Sequence, residues 1–585
     1  MTYWFYTKTS LNTLTKETRF FLAPQSAAQR QYEALRAYFV EKLPSHEVAR
    51  RFSYTPGAFR VLCWQFRHQT LDFFRQRKPG PKAQPKTNAA RPLIIALRKQ
   101  NHSVYDIERA LKTQGTPLSD TAIWDVLRQE GFARLPRRAD DELPDRLKPQ
   151  AAAVADRRDF ALAPGRFSTQ LGGLFLFLPW LVDCDWPKLV RQAKLPGTQM
   201  IPALQALLSL LALKLCSRER KSHVMDLVFD PGLALFAGLN VAPKTTYLST
   251  YSDRVGPKMT EALRAGWLKI LRSHKLAEGQ SFNLDFHTIP YFGQDEFVER
   301  HYLSKRRRSQ RSILVFLAQE AESQVVCYSC ADVPKKRQPD QVLRFVEFWR
   351  GQTGQLPEEL VFDSKLTTFA NLSQLNQRNI TFMTLRRRST GLRRQVLNTP
   401  HSAWRTVPLD VPHRQYQNPS VFEQRVNLKG YPGPVRQLFI TDLGHEEPTI
   451  LLTNDLEGST AQRITRYAQR RLIENHLADA VDFFHLDALS SAVALKVDFD
   501  VVLTEIATGL YRLMARQLSG YETAQARQIY RHFLDTPAQI EIGDRRVEVQ
   551  LPKRAHNPLL IAAGVGKKEI AIPWWENHKL AIAFG

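Results

Sequence analysis

The hydrophobic period changes near residue 281, and that change limits the folds open to this chain. Before it, apolar residues recur at helical spacing, with runs at 171–181, 201–215 and 259–271. From Ser281-Phe-Asn-Leu-Asp-Phe-His287 onward, short apolar stretches alternate residue by residue, which is the period of a strand. Strands are expected at 282–287, 313–318, 325–330, 360–363, 380–385 and 449–453, and helices at 339–350 and 366–378. The first three strands read as a meander. The order helix, strand, helix, strand across 339–385 requires parallel pairing through right-handed crossovers. Residues 387–447 interrupt that rhythm with Pro, Gly and basic residues and two short strands near 421–426 and 435–441, a β-rich insertion. Long helices are expected at 460–484 and 498–518. The fold class is therefore multidomain α/β, with a mixed-sheet domain at 279–520. A helical scaffold or dimerisation domain precedes it at 151–278, and a β-containing tail follows at 521–585.

The N-terminal quarter reads differently. Two helical modules are expected, at 1–85 and 86–150. In the first, a helix over 27–43 precedes a short one at 45–52 and a third at 55–67, with Ser45 and Thr55 as N-caps. Two short helices around a tight turn fit a helix-turn-helix, and the second carries Arg60, Gln65 and Arg67. The other module repeats the plan with helices at 91–100, 103–114 and 119–130, the last carrying Arg128. A basic Pro/Gly tether, Arg77-Lys-Pro-Gly-Pro-Lys82, lies between them.

Charge gives these modules a partner. The chain has 82 Lys+Arg against 57 Asp+Glu, a net +25, and residues 30–140 alone hold 21 Lys+Arg against 10 Asp+Glu. Such an excess calls for a polyanion, and double-stranded DNA fits best. Five Cys (Cys63, Cys184, Cys216, Cys327, Cys330) in 585 residues make no disulfide framework. Cys327-Tyr-Ser-Cys330 has knuckle spacing but no second Cys or His pair, so buried thiols are expected rather than zinc. The opening MTYWFYTKTS lacks the basic and apolar regions of a signal peptide. Gln205 and Lys214 interrupt the most apolar run, 201–216, which is shorter than the ~20 residues a bilayer needs. No membrane association is expected, and a cytoplasmic location is.

Three acids carry the chemistry. Asp285 sits mid-strand, opposite in face to Leu284 and Phe286, where an unpaired carboxylate is costly to bury. Asp363 ends an apolar strand, at the edge where open α/β sheets gather ligands. Glu474 falls on a helix with Tyr467 and Arg470 at i, i+3, i+7, one helical stripe. Two strand-borne Asp and one helix-borne Glu suit a pair of Mg²⁺ or Mn²⁺ ions and two-metal phosphodiester chemistry.

At these residues the chain resembles the DDE transposases of bacterial insertion sequences, of the insertion-sequence-4 type, over about residues 230–520. Asp285-Phe-His-Thr-Ile-Pro-Tyr-Phe-Gly293 is similar to the family's first-Asp strand and Leu360-Val-Phe-Asp363 to the second. Leu451-Leu-Thr-Asn-Asp455 followed by Tyr467-x2-Arg470-x3-Glu474 resembles the third-carboxylate helix. The family carries a Lys after six further residues, thought to touch DNA phosphate; here that position is Val481, with Arg471 a possible substitute. The resemblance implies an RNase-H-like catalytic domain with Asp285, Asp363 and Glu474 as metal ligands. It further implies binding of transposon ends and target DNA, a homodimer in the synaptic complex, and a bacterial, nucleoid-associated setting. Arg470 would orient phosphate or the Glu, and Tyr467 the DNA end. The runs Lys305-Arg306-Arg307-Arg308 and Arg386-Arg387-Arg388 would track the DNA backbone. Two alternatives remain: a non-catalytic DNA-binding regulator or decayed transposase, and a structure-specific RNase-H-like nuclease.

Overall fold

A computed structural model of the protein describes residues 26–68, 73, 85–133, 135, 153–291, 298–303, 308–331, 333–409, 417–444, 447–470, 472–488 and 494–585. The chain divides into two compact units, Met1–Pro149 and Gln150–Gly585.

The first unit holds two triplets of helices. Ala27–Phe39, Ser45–Arg51 and Pro56–Arg67 bury Leu35, Val48, Phe59 and Leu62. Pro85–Lys99, Val104–Thr113 and Asp120–Gln129 bury Ile94, Ile107, Leu111 and Ile123. Local chemistry sets the helix starts. Thr55, Ser103 and Ser119 accept hydrogen bonds from the backbone N–H groups of Ala58, Asp106 and Ala122, and Ser103 with Asp106 completes a capping box. Ser45 is not a cap: it is the first helical residue, after Pro44, which offers no side-chain acceptor. The 77–82 tether lies outside the described residues.

The second unit is a mixed α/β body. Its strands, in chain order, begin with β1 (Gly165–Thr169), β2 (Ser281–Pro290), β3 (Arg300–Leu303), β4 (Arg308–Glu320) and β5 (Val326–Cys330). There follow β6 (Glu359–Phe362), β7 (Thr381–Leu385), β8 (Arg405–Thr406), β9 (Ser420–Asn427), β10 (Pro434–Ile440) and β11 (Thr449–Thr453). The last are β12 (Ala538–Gly543), β13 (Arg546–Leu551), β14 (Ile570–Ala571) and β15 (Lys579–Phe584). In the large sheet β2, β6 and β7 run parallel, joined by the Asp340–Thr353 and Phe369–Gln377 helices. On one side β4 pairs antiparallel with β2, and β3 and β5 pair with β4. On the other, the insertion strands continue the sheet in the order β7–β11–β10–β9–β8, all antiparallel.

Alternation along β2 decides what each face meets. Phe282 packs against Trp349 and Phe345, with ring centroids 4.5 and 5.0 Å away. On the reverse face, Val361 and Met383 join Leu438, Leu451 and Ile464 in a separate apolar cluster. Helices thus cover both faces, as parallel strands require.

The sequence boundaries at 278 and 520 do not divide the core. One cluster runs from Ala155 to Ile582, and β1 pairs with β12 to complete a five-stranded sheet of order β1–β12–β13–β15–β14. The region expected to be mainly helical therefore lends a strand to the tail's sheet. β1, Gly-Arg-Phe-Ser-Thr, is too short and too polar to announce itself by period. The tail is held further by Trp574 and Trp575, whose indole N–H groups donate to the carbonyls of Phe236 and Leu235 at 2.9 and 2.7 Å. All five cysteines are buried thiols outside any disulfide. No helix among the described residues is long and apolar enough to cross a membrane.

Two changes test this packing. A Cβ on Gly173 would lie 2.1 Å from the Leu534 carbonyl oxygen. Gly173→Val should therefore cost about 3 kcal/mol in urea unfolding, whereas a loss under ~1 kcal/mol would mean the tail does not press there. Glu505 is buried near Arg264, which itself bonds Asp498 at 3.0 Å. Burial pushes its carboxyl up to about 7 against the pull of Arg264. A carboxyl raised in the folded state loses stability as pH climbs from its unfolded value, near 4.5, through about 7. Glu505→Gln should match the wild type below pH ~4.5 and become progressively more stable than it up to pH ~8; a constant difference would refute the assignment.

Candidate active site

Ser281, Asn283, Asp285 and His287 share one face of β2, because strand side chains alternate. Each meets a partner from the segment 460–488. Arg466 donates Nε to Glu359 Oε1 at 2.6 Å, Nη1 to Asn283 Oδ1 at 2.8 Å and Nη2 to Ser281 Oγ at 2.8 Å. Four residues on, Arg470 donates Nη1 to Asp285 Oδ2 at 3.0 Å. His287 Nε2 lies 2.6 Å from Asp487 Oδ1, in the turn beyond the Leu472–Asp482 helix.

Register brings the two aspartates together. β2 and β6 pair in parallel with Leu284 opposite Phe362, so Asp285 follows on β2 just where the neighbouring strand ends and Asp363 begins the next turn. Asp363 lies one residue past β6, where its Oδ1 accepts the Ser364 N–H at 2.5 Å and caps a short turn. Burial pushes the Asp285 carboxyl up; Arg470 and the Phe286 N–H oppose that, and the charge of Asp363 adds to it. Burial alone would lower the Arg470 guanidinium, but Tyr467, Asp285, Asp363 and Glu474 outweigh it and raise it. The guanidinium lies 5.6 Å from the Tyr467 ring centroid. Burial also raises the Tyr467 phenol.

The single helix expected at 460–484 is two. One spans Thr460–Gln469 and the next Leu472–Asp482. Between them the Arg470 N–H donates to Tyr467 and the Ile473 N–H to Arg470, three-residue bonds that tighten the chain. Tyr467, Arg470 and Glu474 therefore do not form one continuous helical stripe. Arg470 is buried against Asp285, while the Glu474 side chain is 52% exposed, its Oε1 3.9 Å from Arg470 Nη2. Val481 is half-buried beside an apolar cluster that includes Val315 and Val501.

The other expected DNA-contacting residues divide. Arg386 is half-buried and bonded to Gln437, and burial lowers its pKa. Arg387 and Arg388 are both exposed, and Arg388 is paired with Glu447. Arg60, Arg67 and Arg128 are exposed, and Arg67 also covers the Phe39 ring at 5.4 Å; Gln65 is half-buried. Lys305, Arg306, Arg307 and Arg471 lie outside the described residues.

Sequence reasoning chose Asp285 from this face and passed over Ser281, Asn283 and His287, although Ser-x-Asn-x-Asp-x-His is a polar row at strand period. Arg466 and Asp487 had no such signal, because their roles depend on which strand they meet. Among the described residues no three His, Cys, Asp or Glu side chains form an ion-sized cluster. No protein-family model matches this chain, and no curated protein is significantly similar to it.

Arg466 should act as the pin of its helix. Arg466→Met leaves Glu359 and Asn283 without that donor and should cost about 2 kcal/mol in thermal or urea unfolding. Arg466→Lys should recover only part, since an ammonium cannot span three acceptors as the guanidinium fork does. Full recovery by Lys would argue against the pin.

Proposed function

We propose that this protein is a DNA transposase that binds transposon ends, cleaves them and joins them to target DNA. The observation that carries the reading is the register that sets Asp285 on β2 beside Asp363 at the end of β6, with Arg470 bonded to Asp285 and Glu474 3.9 Å from Arg470. An RNase-H-like assignment draws support from the central parallel trio β2, β6 and β7, flanked by antiparallel β4 and β5.

The donor set suits a hard divalent cation. Two adjacent carboxylates, one raised by burial and by its neighbour's charge, are an arrangement that a cation relieves. Asp285 and Asp363 would hold Mg²⁺ or Mn²⁺, with Glu474, from the Leu472–Asp482 helix, as the third ligand. Bound there, the ions would supply activation of water or a 3′-hydroxyl and stabilisation of the leaving oxygen. The chain's own side chains do the positioning. Arg466 fixes its helix on the strand starts, Arg470 pairs with Asp285 and opposes the effect of its burial, and the His287–Asp487 pair ties the segment after the Glu474 helix to β2. The exposed Arg60, Arg67, Arg128 and Arg387 would contact phosphates, and a homodimer would pair two ends.

The decisive experiment uses the purified full chain, Mg²⁺, and duplexes carrying the genomic DNA that flanks its reading frame. Nicking followed by joining of the new 3′-hydroxyl to a plasmid is expected. Asp285→Asn, Asp363→Asn and Glu474→Gln should each abolish nicking and leave duplex binding intact. Cleavage without joining would point to a nuclease, binding without cleavage to a regulator, and loss of binding in these variants would remove the metal-ligand assignment.

A further inference from the structure

A second charged site adjoins the first. A cleft of about 700 Å³ lies between the end of the Ala203–Leu215 helix with its following loop, the Val481–Ala488 segment and the Ala494–Ala515 helix. Asp487, the partner of His287, is part of its wall, so the cleft begins one residue pair along β2 from Asp285.

Its charges do not cancel locally. Asp487 is engaged by His287, Asp500 by Lys221 at 2.9 Å, and Glu219 faces Arg220 at 3.6 Å in an exposed pair of little strength. Lys214 has a different partner: its Nζ donates to the Phe484 carbonyl at 2.9 Å, and burial pulls its pKa down to about 8. Arg218 has no carboxylate within ion-pair distance among the described residues, and its buried Nε has no acceptor. A guanidinium so placed is costly until an anion arrives, and its planar fork matches a phosphate. Ser222 and Ser249 add hydroxyls to the lining.

We propose that this cleft binds a backbone phosphate of the nucleic-acid strand whose neighbouring phosphodiester lies at Asp285 and Asp363, with Arg218 and Lys214 as the principal donors and Arg220 at the rim. The inference rests on the phosphodiester reading of the carboxylate site. It supplies that site with a second grip, on residues from a part of the chain that carries no catalytic pattern of its own.

The test measures binding of the full chain to a fluorescein-labelled 30-nucleotide strand of random sequence, and to its duplex, by anisotropy across a KCl series. Arg218→Ala and Arg220→Ala should each weaken binding several-fold and lower the slope of log affinity against log salt by about 0.7 on the single strand. Arg218→Lys should keep the slope, and Lys579→Ala, on the tail sheet, should change neither quantity. Arg220 is 68% exposed, so its variant reports even if Arg218→Ala folds poorly. Unchanged slopes in both Ala variants would overturn the cleft and leave the carboxylate reading standing. Absence of DNA binding by the wild type would sink both. Calorimetric binding of inorganic pyrophosphate that depends on Arg218, with no change toward DNA, would mean a free phosphate ligand and would also overturn the proposal.

Discussion

The guanidinium of Arg470 seated on Asp285 is the contact on which the second unit's arrangement turns. A carboxylate in the middle of a covered strand is costly, and a buried guanidinium is equally so. Together, at 3.0 Å, each offsets the other's desolvation. The pair also fixes position. It sits where the Thr460–Gln469 helix ends, two residues before the Leu472–Asp482 helix that carries Glu474. Arg466, four residues earlier, and Asp487, beyond the second helix, repeat the device on the same face of β2. One row of polar strand residues thereby docks three points of a helical pair.

Parallel pairing provides the other constraint. Because β2 and β6 align Leu284 with Phe362, Asp285 and Asp363 have no freedom to be elsewhere than side by side. A shift of one residue would turn Asp363 toward the apolar layer built by Phe282, Phe345 and Trp349, at a cost no sheet of this kind sustains. The core thus sets the separation of the acids. Burial raises the Asp285 carboxyl, Arg470 opposes that, and the charge of Asp363 adds to it.

Much of this was legible in advance. The strands at 449–453 and 421–426 and the helices of both N-terminal modules follow period and capping chemistry that act within a few residues. What escaped has a physical reason in each case. Ser45 looked like a cap until Pro44 took that position. The break at Arg470 is absent from local propensity, since Arg is a good helix former; it arises from a partner 185 residues away. β1 needs β12, some 370 residues later, to be a strand at all, and the basic cleft draws on Lys214, Arg218 and Asp487, which no spacing connects.

The sequence by itself determined the alternation of helix and strand, the polar row on β2, the order of the three acids and the excess of basic charge. Those are properties of neighbours along the chain, where hydrophobic period and backbone capping act directly. Only the tertiary structure decided that the scaffold and tail share one core, that Arg386 is half-buried against Gln437 while Arg218 meets no carboxylate among the described residues, and that Asp285 lies under the Arg470 guanidinium with Asp363 just past the neighbouring strand. Burial and ion pairing depend on which distant segments meet, and desolvation makes each of those meetings strongly favourable or strongly costly. That is why the acids could be named from the sequence and their surroundings could not.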